Sequence, residues 1–259
     1  MELQDKIIVI TGAGSGIGRA LAVRFHAQGA KQIVAVDINL DNAQETAKMV
    51  SGVAMMADVS KEDDISRIIE ETEAKVGPID LFCSNAGVAL GEGIDSANGE
   101  WQASWDINVM SHVYAARHLV PRMVARGGGY FLNTSSAAGL LNQIGGAAYG
   151  VTKHAAVGFG EWLAIHHKHQ GIKVSLLCPQ AVRTPMTDND NEATAAAASN
   201  GMIEPEELAN CVVDELRKES FLILPHPIVA EYMTNKTSNY DRWIGGMNKM
   251  MRHIMGIGK

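Results

Sequence analysis

The chain has no basic excess: 22 Lys and Arg stand against 29 Asp and Glu, a formal net charge of −7 over 259 residues. That argues against nucleic acid as a partner, because phosphate backbones are held by clustered Lys and Arg. No apolar run reaches the ~18–20 residues of a membrane span, so no membrane insertion is expected. The opening Met1-Glu2-Leu3-Gln4-Asp5-Lys6 carries neither a basic nor an apolar segment. No secretory leader is therefore expected, and the implied location is cytoplasmic. Cysteine is scarce: Cys83, Cys178 and Cys211 are odd in number and sit in apolar surroundings. They read as buried reduced thiols rather than disulfides or metal ligands. His166, His167 and His169 cluster without a Cys or acid at ligand spacing, so no metal is expected. Linkers are missing, as are internal repeats of ~20–50 residues, which points to one domain over 1–259.

What is present is a sizeable apolar share, 46% of the residues, arranged in a regular alternation. Strand-like runs occupy Ile7–Thr11, Ile33–Asp37, Val53–Asp58, Ile79–Ser84, Tyr130–Ser135, Lys173–Cys178 and Phe221–Leu224. They are nearly continuous in apolar residues, as strands covered on both faces must be. Helical spacing fills Gly16–Gln28, Asp41–Val50, Glu62–Val76, Glu100–Arg126, Tyr149–His169 and Pro205–Lys218. Parallel neighbours need such crossovers. The expected fold class is α/β: a single doubly wound Rossmann domain, its seven-stranded, mostly parallel sheet carrying helices on both faces. Ligands of such a sheet sit at the carboxyl ends of the strands. Residues 186–203 break the pattern with acids, Asn and the run Ala195–Ala198; they read as a lid-like loop over substrate or a plain surface loop.

The first strand runs into a turn with Gly12, Gly14, Gly16 and Gly18 and then a helix. Glycines let the backbone turn sharply and approach a pyrophosphate, which meets the amides and positive dipole of the helix start. Gly12, Gly14, Ser15, Gly16, Ile17 and Gly18 form the expected cradle. Asp37 follows at the end of the second strand, where an acid accepts hydrogen bonds from the adenosine ribose. A 2′-phosphate ~5 Å from it is repelled by ~3 kcal/mol per unit charge at an effective dielectric of ~20. Neither Ile38 nor Ser15 supplies a compensating positive charge, so NAD is expected rather than NADP. Asp58 and Val59 are candidate adenine contacts.

Tyr149 and Lys153 stand one helical turn apart, a proton-transfer pair. Tyr232 and Lys236 repeat the spacing, so spacing alone decides nothing. Ser136 lies thirteen residues before Tyr149 at the end of a strand-like run, whereas Glu219 lies thirteen before Tyr232. Tyr149 is therefore the reactive copy, and Tyr232 reads as surface or packing.

Together, Thr11-Gly-x-x-x-Gly-x-Gly18, Asn85-Ala-Gly87, Asn108, Ser136 and Tyr149-x-x-x-Lys153, in this order, resemble the short-chain dehydrogenase/reductase family over roughly residues 5 to 225. The resemblance implies a catalytic set of Asn108, Ser136, Tyr149 and Lys153. Tyr149 takes or gives the proton of a hydroxyl or carbonyl, its phenol made more acidic by Lys153 and the oxidised nicotinamide. Lys153 also holds the nicotinamide ribose, Ser136 bonds the substrate oxygen, and Asn108 positions a water that links Lys153 to solvent. A kink-forming role for Asn108 within its helix is compatible with this. Asn85, Ala86, Gly87, Pro179 and Thr184 join the cofactor site, with Thr184 at the nicotinamide carboxamide.

Three departures from that family pattern stand out. Ser84 precedes Asn85 where Asn is commoner, Gln180 follows Pro179 where Gly is usual, and the stretch from Ser220 to Pro227 stands where many relatives have Val-Asp-Gly-Gly, followed by a helical tail over 227–259. In that tail Trp243, Met247, Met250, Met251 and Ile254 fall at helical spacing; packing on the protein's own core or a neighbouring subunit is expected more than a part in the pocket. Trp101 and Trp105 read as packing. The function implied is NAD-dependent interconversion of a secondary alcohol and a ketone, with a largely apolar substrate and self-association through Glu100–Arg126 and Tyr149–His169. The alternatives are an isomerase or lyase using bound NAD transiently and a non-catalytic dinucleotide sensor.

Overall fold

The structure, a computed structural model, describes residues 1–188 and 191–257. Asn189 and Asp190 of the expected lid, and Gly258 and Lys259 of the expected tail, lie outside the described residues. The first half contains β1 (Ile7–Thr11), α1 (Gly16–Ala27), β2 (Gln32–Asp37), α2 (Leu40–Met49), β3 (Val53–Met56), α3 (Glu62–Lys75) and β4 (Leu81–Ser84). Next come α4 (Asn98–Trp105), a π-helical turn (Asp106–Met110), α5 (Ser111–Ala125), β5 (Gly129–Thr134), α6 (Ala138–Leu141), α7 (Ala147–His167) and β6 (Ile172–Leu177). The chain continues through α8 (Glu192–Ala197), α9 (Pro205–Lys218), β7 (Leu222–Ile223), α10 (Ile228–Ser238) and α11 (Tyr240–Ile254).

The strands form one seven-stranded sheet in the order β3-β2-β1-β4-β5-β6-β7. Every pairing is parallel. The chain winds outward from β1 to β3, then returns to lay β4 on the other side of β1. The strand order therefore reverses between β1 and β4, where a doubly wound sheet opens a crevice. Alternate strand residues feed two cores. Ile8, Ile10, Cys83, Tyr130 and Leu132 pack against α1 and α9 on one face. Val9, Val34, Phe82 and Phe131 pack against α3, α5 and α7 on the other. Both faces being covered, the strands carry apolar residues without alternation, which is why they were legible as runs.

The structure corrects several boundaries. The helix expected over Glu100–Arg126 is two helices joined by the π-helical turn. One extra residue per turn there swings Asn108 into the interior, where it is fully buried. The expected lid is not a plain loop: Pro185–Thr187 form a short 3₁₀ turn, α8 follows, and Val182 pairs with Ile203 across its base. Asn191 caps α8 by accepting from the Thr194 N–H at 2.8 Å. The tail is a pair of helices. Trp105, expected to pack, is 41% exposed. No helix of the described residues is long and apolar enough to cross a membrane.

Candidate active site

A cavity of about 1040 Å³ opens at the carboxyl ends of the strands, above the point where their order reverses. Every site residue named from the sequence lines it except Gly14 and Asn108. The set is scattered from residue 12 to residue 184, and the crossover topology gathers it on one rim.

The glycine turn is built for close approach. Gly12 and Gly16 have φ of +64° and +48°, a region that suits glycine. A Cβ on Gly18 would stand 2.1 Å from the Gly12 carbonyl oxygen, and one on Gly14 would stand 2.7 Å from Asp37 Oδ2. The turn can therefore fold onto itself only without side chains. Ser15 precedes α1 without a side-chain capping bond, and the first turn of α1 carries no acid. The amides and dipole of that helix start thus remain favourable to an anion. Asp37 closes the far side, accepting from the Gly14 N–H at 2.8 Å and from the Asn39 N–H at 3.0 Å. Arg19, a cation beside the turn, is taken up by Glu45 at 2.6 Å and by Thr46 at 3.1 Å. A cradle that any Cβ would fill, with an acid at its end, fits a dinucleotide. Asp58 turns its carboxylate onto its own loop, accepting from Ser60 Oγ at 2.6 Å. Burial alone raises its pKa, but the Ser60 bonds and Lys61 leave it below the ordinary carboxylate value.

Thr11 ties the loops of this rim together. Its hydroxyl accepts from the Asn85 N–H at 3.0 Å and the Ala86 N–H at 3.1 Å. The Asn85 side chain donates to the Thr11 carbonyl at 3.1 Å and accepts from Thr134 Oγ1 at 3.2 Å. Asn108 grips the next residues, bonding the Val88 N–H and carbonyl and donating to Thr152 Oγ1 at 3.1 Å. A Cβ on Gly87 would lie 3.1 Å from Asn108 Oδ1 and 3.2 Å from Lys153 Nζ, so the absence of a side chain leaves those two groups facing one another.

Tyr149 is the third residue of α7 and Lys153 follows one turn later. Lys153 is 3% exposed, donates to the Thr134 carbonyl at 3.2 Å, and its Nζ stands 5.6 Å from the centre of the Tyr149 ring. Burial pulls its pKa down to about 8. Burial raises the Tyr149 pKa above its ordinary value; a Ser136 hydrogen bond opposes this, and Cys178 adds to it. Burial thus outweighs the Ser136 bond, while the Lys153 ammonium donates to the Thr134 carbonyl. Ser136 sits just past β5, its hydroxyl accepting from the Ala138 N–H at 3.1 Å and donating to the Pro179 carbonyl at 3.4 Å.

Gln180 reaches the cavity, and its N–H donates to His226 Nδ1 at 3.2 Å. Thr184 lies against Gly16, its Cγ2 3.0 Å from where a Cβ on that glycine would be. The segment after β6 thus closes the cradle beside Gly16. Sequence reasoning left several participants out of the site. Thr11, Thr134 and Thr152 carry the bonds just described. Ser135 Oγ donates to the Lys153 carbonyl at 2.9 Å, and Gly139 admits α7 to within 2.5 Å of its Cβ position. Tyr232, expected as surface or packing, packs near Trp243 and also lines the cavity, as do Trp243, Met247 and Met250 of α11. The helical spacing of the last three was the signal for that helix, but not for what it faces. Of the His cluster, His166 stacks on Trp162 with ring centres 4.4 Å apart and His167 bonds Gln170.

Comparison with known proteins agrees with this geometry. A family model described as short chain dehydrogenase matches residues 6–195. Epidermal retinol dehydrogenase 2 of Homo sapiens is 30% identical over 86% of this chain and 75% of its own length. The 1-deoxy-11-beta-hydroxypentalenate dehydrogenase of Streptomyces exfoliatus is 32% identical over 86% of this chain and 84% of its own. Among solved structures, a short chain dehydrogenase/reductase from Burkholderia phymatum in complex with NAD superimposes with a TM-score of 0.84 at 25% identity, covering 93% of this chain and 96% of that one. The L-sorbose reductase of Gluconobacter frateurii, complexed with NADPH and L-sorbose, gives 0.77 at 29% identity, covering 86% and 97%.

Proposed function

Since the chain belongs to the short-chain dehydrogenase/reductase family, we propose that this oxidoreductase interconverts a secondary alcohol and a ketone with NAD. The reading rests on one observation: the Tyr149 phenol, the Lys153 ammonium and the Ser136 hydroxyl share the cavity wall with the glycine turn. A nicotinamide dinucleotide bound there supplies the hydride donor or acceptor. The turn from Gly12 to Gly18 holds its pyrophosphate, Asp37 its adenosine ribose, and Thr184 the nicotinamide end. Asn85, Ala86 and Gly87 form the floor, Pro179 the opposite wall, and Asp58 and Val59 border the adenine.

Tyr149 accepts the proton of the substrate hydroxyl during oxidation and returns one to the carbonyl oxygen during reduction. Ser136 Oγ donates to that oxygen and favours its developing negative charge. Lys153, buried and tied to Thr134, keeps a positive charge beside the ring, and the Asn108 amide stands across Gly87 from it. Phenolate formation at neutral pH then needs ~3 pKa units, ~4 kcal/mol of preferential stabilisation, beyond what the protein groups alone provide. Asp37 favours NAD, as does the neutralisation of Arg19 by Glu45. Leu90, Leu141, Ile144 and Met186 beside the reactive wall suit a largely apolar substrate. The exposed Trp105, Trp162 and Ile165, at 41%, 46% and 74%, suit self-association through α4–α5 and α7 into a dimer or tetramer. The chain is taken as a single domain, and its free, mostly buried thiols suit a reducing cytoplasm.

The test is cofactor absorbance with a panel of cyclic, aromatic and aliphatic secondary alcohols, NAD and NADP in parallel. Steady reduction of NAD is the expected result, with at least a hundredfold loss in Tyr149→Phe. Near-normal turnover by Tyr149→Phe overturns the proton role. Tight NAD binding without turnover of any alcohol overturns the enzyme reading in favour of a sensor.

A further inference from the structure

The tail departs from the pattern of its relatives, and the matched family segment ends at residue 195, before α11 begins. That helix has a strongly one-sided distribution of apolar residues yet contributes no buried residue to the core. Its contacts run to α10 and α8. Trp243 anchors its start near Tyr232, ring centres 6.3 Å apart. Trp243, Met247 and Met250 stand at i, i+4 and i+7, one face of a helix, and all three line the cavity that also contains Tyr149 and Ser136. Ala193, Ala196 and Ala197 of α8, at i, i+3 and i+4, line the same cavity. A large, pliant wall and a flat, small-residue wall thus flank one space.

We propose that α8 and α11 form the substrate-selecting walls of this enzyme, admitting a bulky apolar alcohol or ketone, such as a large carbocycle, between the alanine stripe and the Trp243–Met247–Met250 stripe. The proposal deepens the redox reading and rests on it for the reaction, but not for binding. The alanines leave width, because their side chains end at Cβ. Methionine's unbranched thioether adapts to irregular apolar shapes, and Trp243 supplies a broad flat surface. Two polar groups near these walls are engaged: the Gln143 amide donates to the Ala193 carbonyl at 2.8 Å, and the Tyr232 hydroxyl pairs with Asn200. Asn235 and Arg242 also line the cavity, and a bulky apolar body is what covers both stripes at once. Continuity of the space with Tyr149 makes the occupant the substrate rather than a second copy of the chain.

The experiment compares cyclododecanone with butan-2-one on the whole protein. Trp243 is the tryptophan that lines the cavity, so saturable quenching of intrinsic fluorescence by cyclododecanone, lost in Trp243→Phe, is expected. In turnover with NADH, Met247→Lys and Met250→Lys are each expected to lower the kcat/KM ratio of cyclododecanone to butan-2-one at least tenfold. Lys249→Met, on the outer face of α11, is expected to leave that ratio unchanged. Absence of saturable quenching, or a parallel loss for both ketones, overturns the proposal. Quenching without turnover of either ketone leaves the selecting walls standing and removes the redox reading instead. Trp243 packs against the Ala137, Leu141 and Val229 cluster but Met247 and Met250 do not, so the two Met→Lys variants should keep the parent melting temperature, and circular dichroism reports whether they do.

Discussion

The Asn108 side chain holds Val88 at both ends, accepting from its N–H at 3.0 Å and donating to its carbonyl at 2.9 Å. A residue of the π-helical turn thereby fixes the loop after β4, which runs directly from Asn85, Ala86 and Gly87.

Asn108→Ala leaves both Val88 groups and the Thr152 acceptor short of a partner in the interior. Each such loss costs about 1–3 kcal/mol, so a total destabilisation of ~2–4 kcal/mol is expected. Urea unfolding should show a lower midpoint with an unchanged slope. A midpoint equal to that of the parent would show that the amide does not hold the loop.

Gly18→Ala places a methyl group 2.1 Å from the Gly12 carbonyl oxygen, which forces the cradle apart. Loss of measurable NADH binding in a fluorescence titration is expected. Unimpaired binding would remove the glycine turn from the cofactor site.

Asp37→Asn removes the charge that faces the adenosine end while keeping the shape that accepts from Gly14. A repulsion of ~3 kcal/mol disappears, so the preference for NAD over NADP should fall by a factor of about ten to a hundred. Parallel kcat/KM measurements with the two cofactors decide it, and an unchanged preference counts against Asp37 as the discriminator.

Burial lowers the Lys153 pKa to about 8, below its ordinary value near 10.5. Between those values the unfolded chain binds the extra proton, so this group's contribution rises as pH rises from 8 to 10.5 and is lost below 8. Lys153→Met should accordingly be more stable than the parent at pH 7, by up to ~3 kcal/mol, while losing turnover. A less stable variant at pH 7 would mean that the Thr134 bond outweighs the burial cost.

His112 is buried, and burial, with Lys153 nearby, pushes its pKa down to about 3. Asn133 and the Asn108 backbone favour its charged form but do not prevail. The unfolded chain protonates this group near pH 6.5, so stability should decline from about pH 6.5 toward 3, at up to ~1.4 kcal/mol per pH unit. His112→Leu should flatten that decline. The same slope in both proteins would assign acid sensitivity elsewhere.

The strands, the glycine turn, Asp37 and the Tyr149–Lys153 pair were legible because each is a local regularity: an apolar run, a turn that excludes side chains, a one-turn spacing. The same locality misplaced the long helix, since the π-helical turn depends on the bonds Asn108 makes to Val88 and Thr152, 20 and 44 residues away in sequence. That Lys153 donates to the Thr134 carbonyl was equally out of reach, because it depends on where β5 ends relative to α7.

The sequence alone determined the alternation of elements, the chemistry available and the order in which it arrives, because backbone turns and helical faces obey near-neighbour rules. Only the tertiary structure decided that the strand order reverses between β1 and β4, that Thr11 ties the glycine turn to the loop after β4, and that α11 turns its Trp243–Met247–Met250 face to the cavity. Those outcomes depend on which surfaces meet after the chain has crossed over the sheet, and no spacing along the chain encodes that meeting by itself.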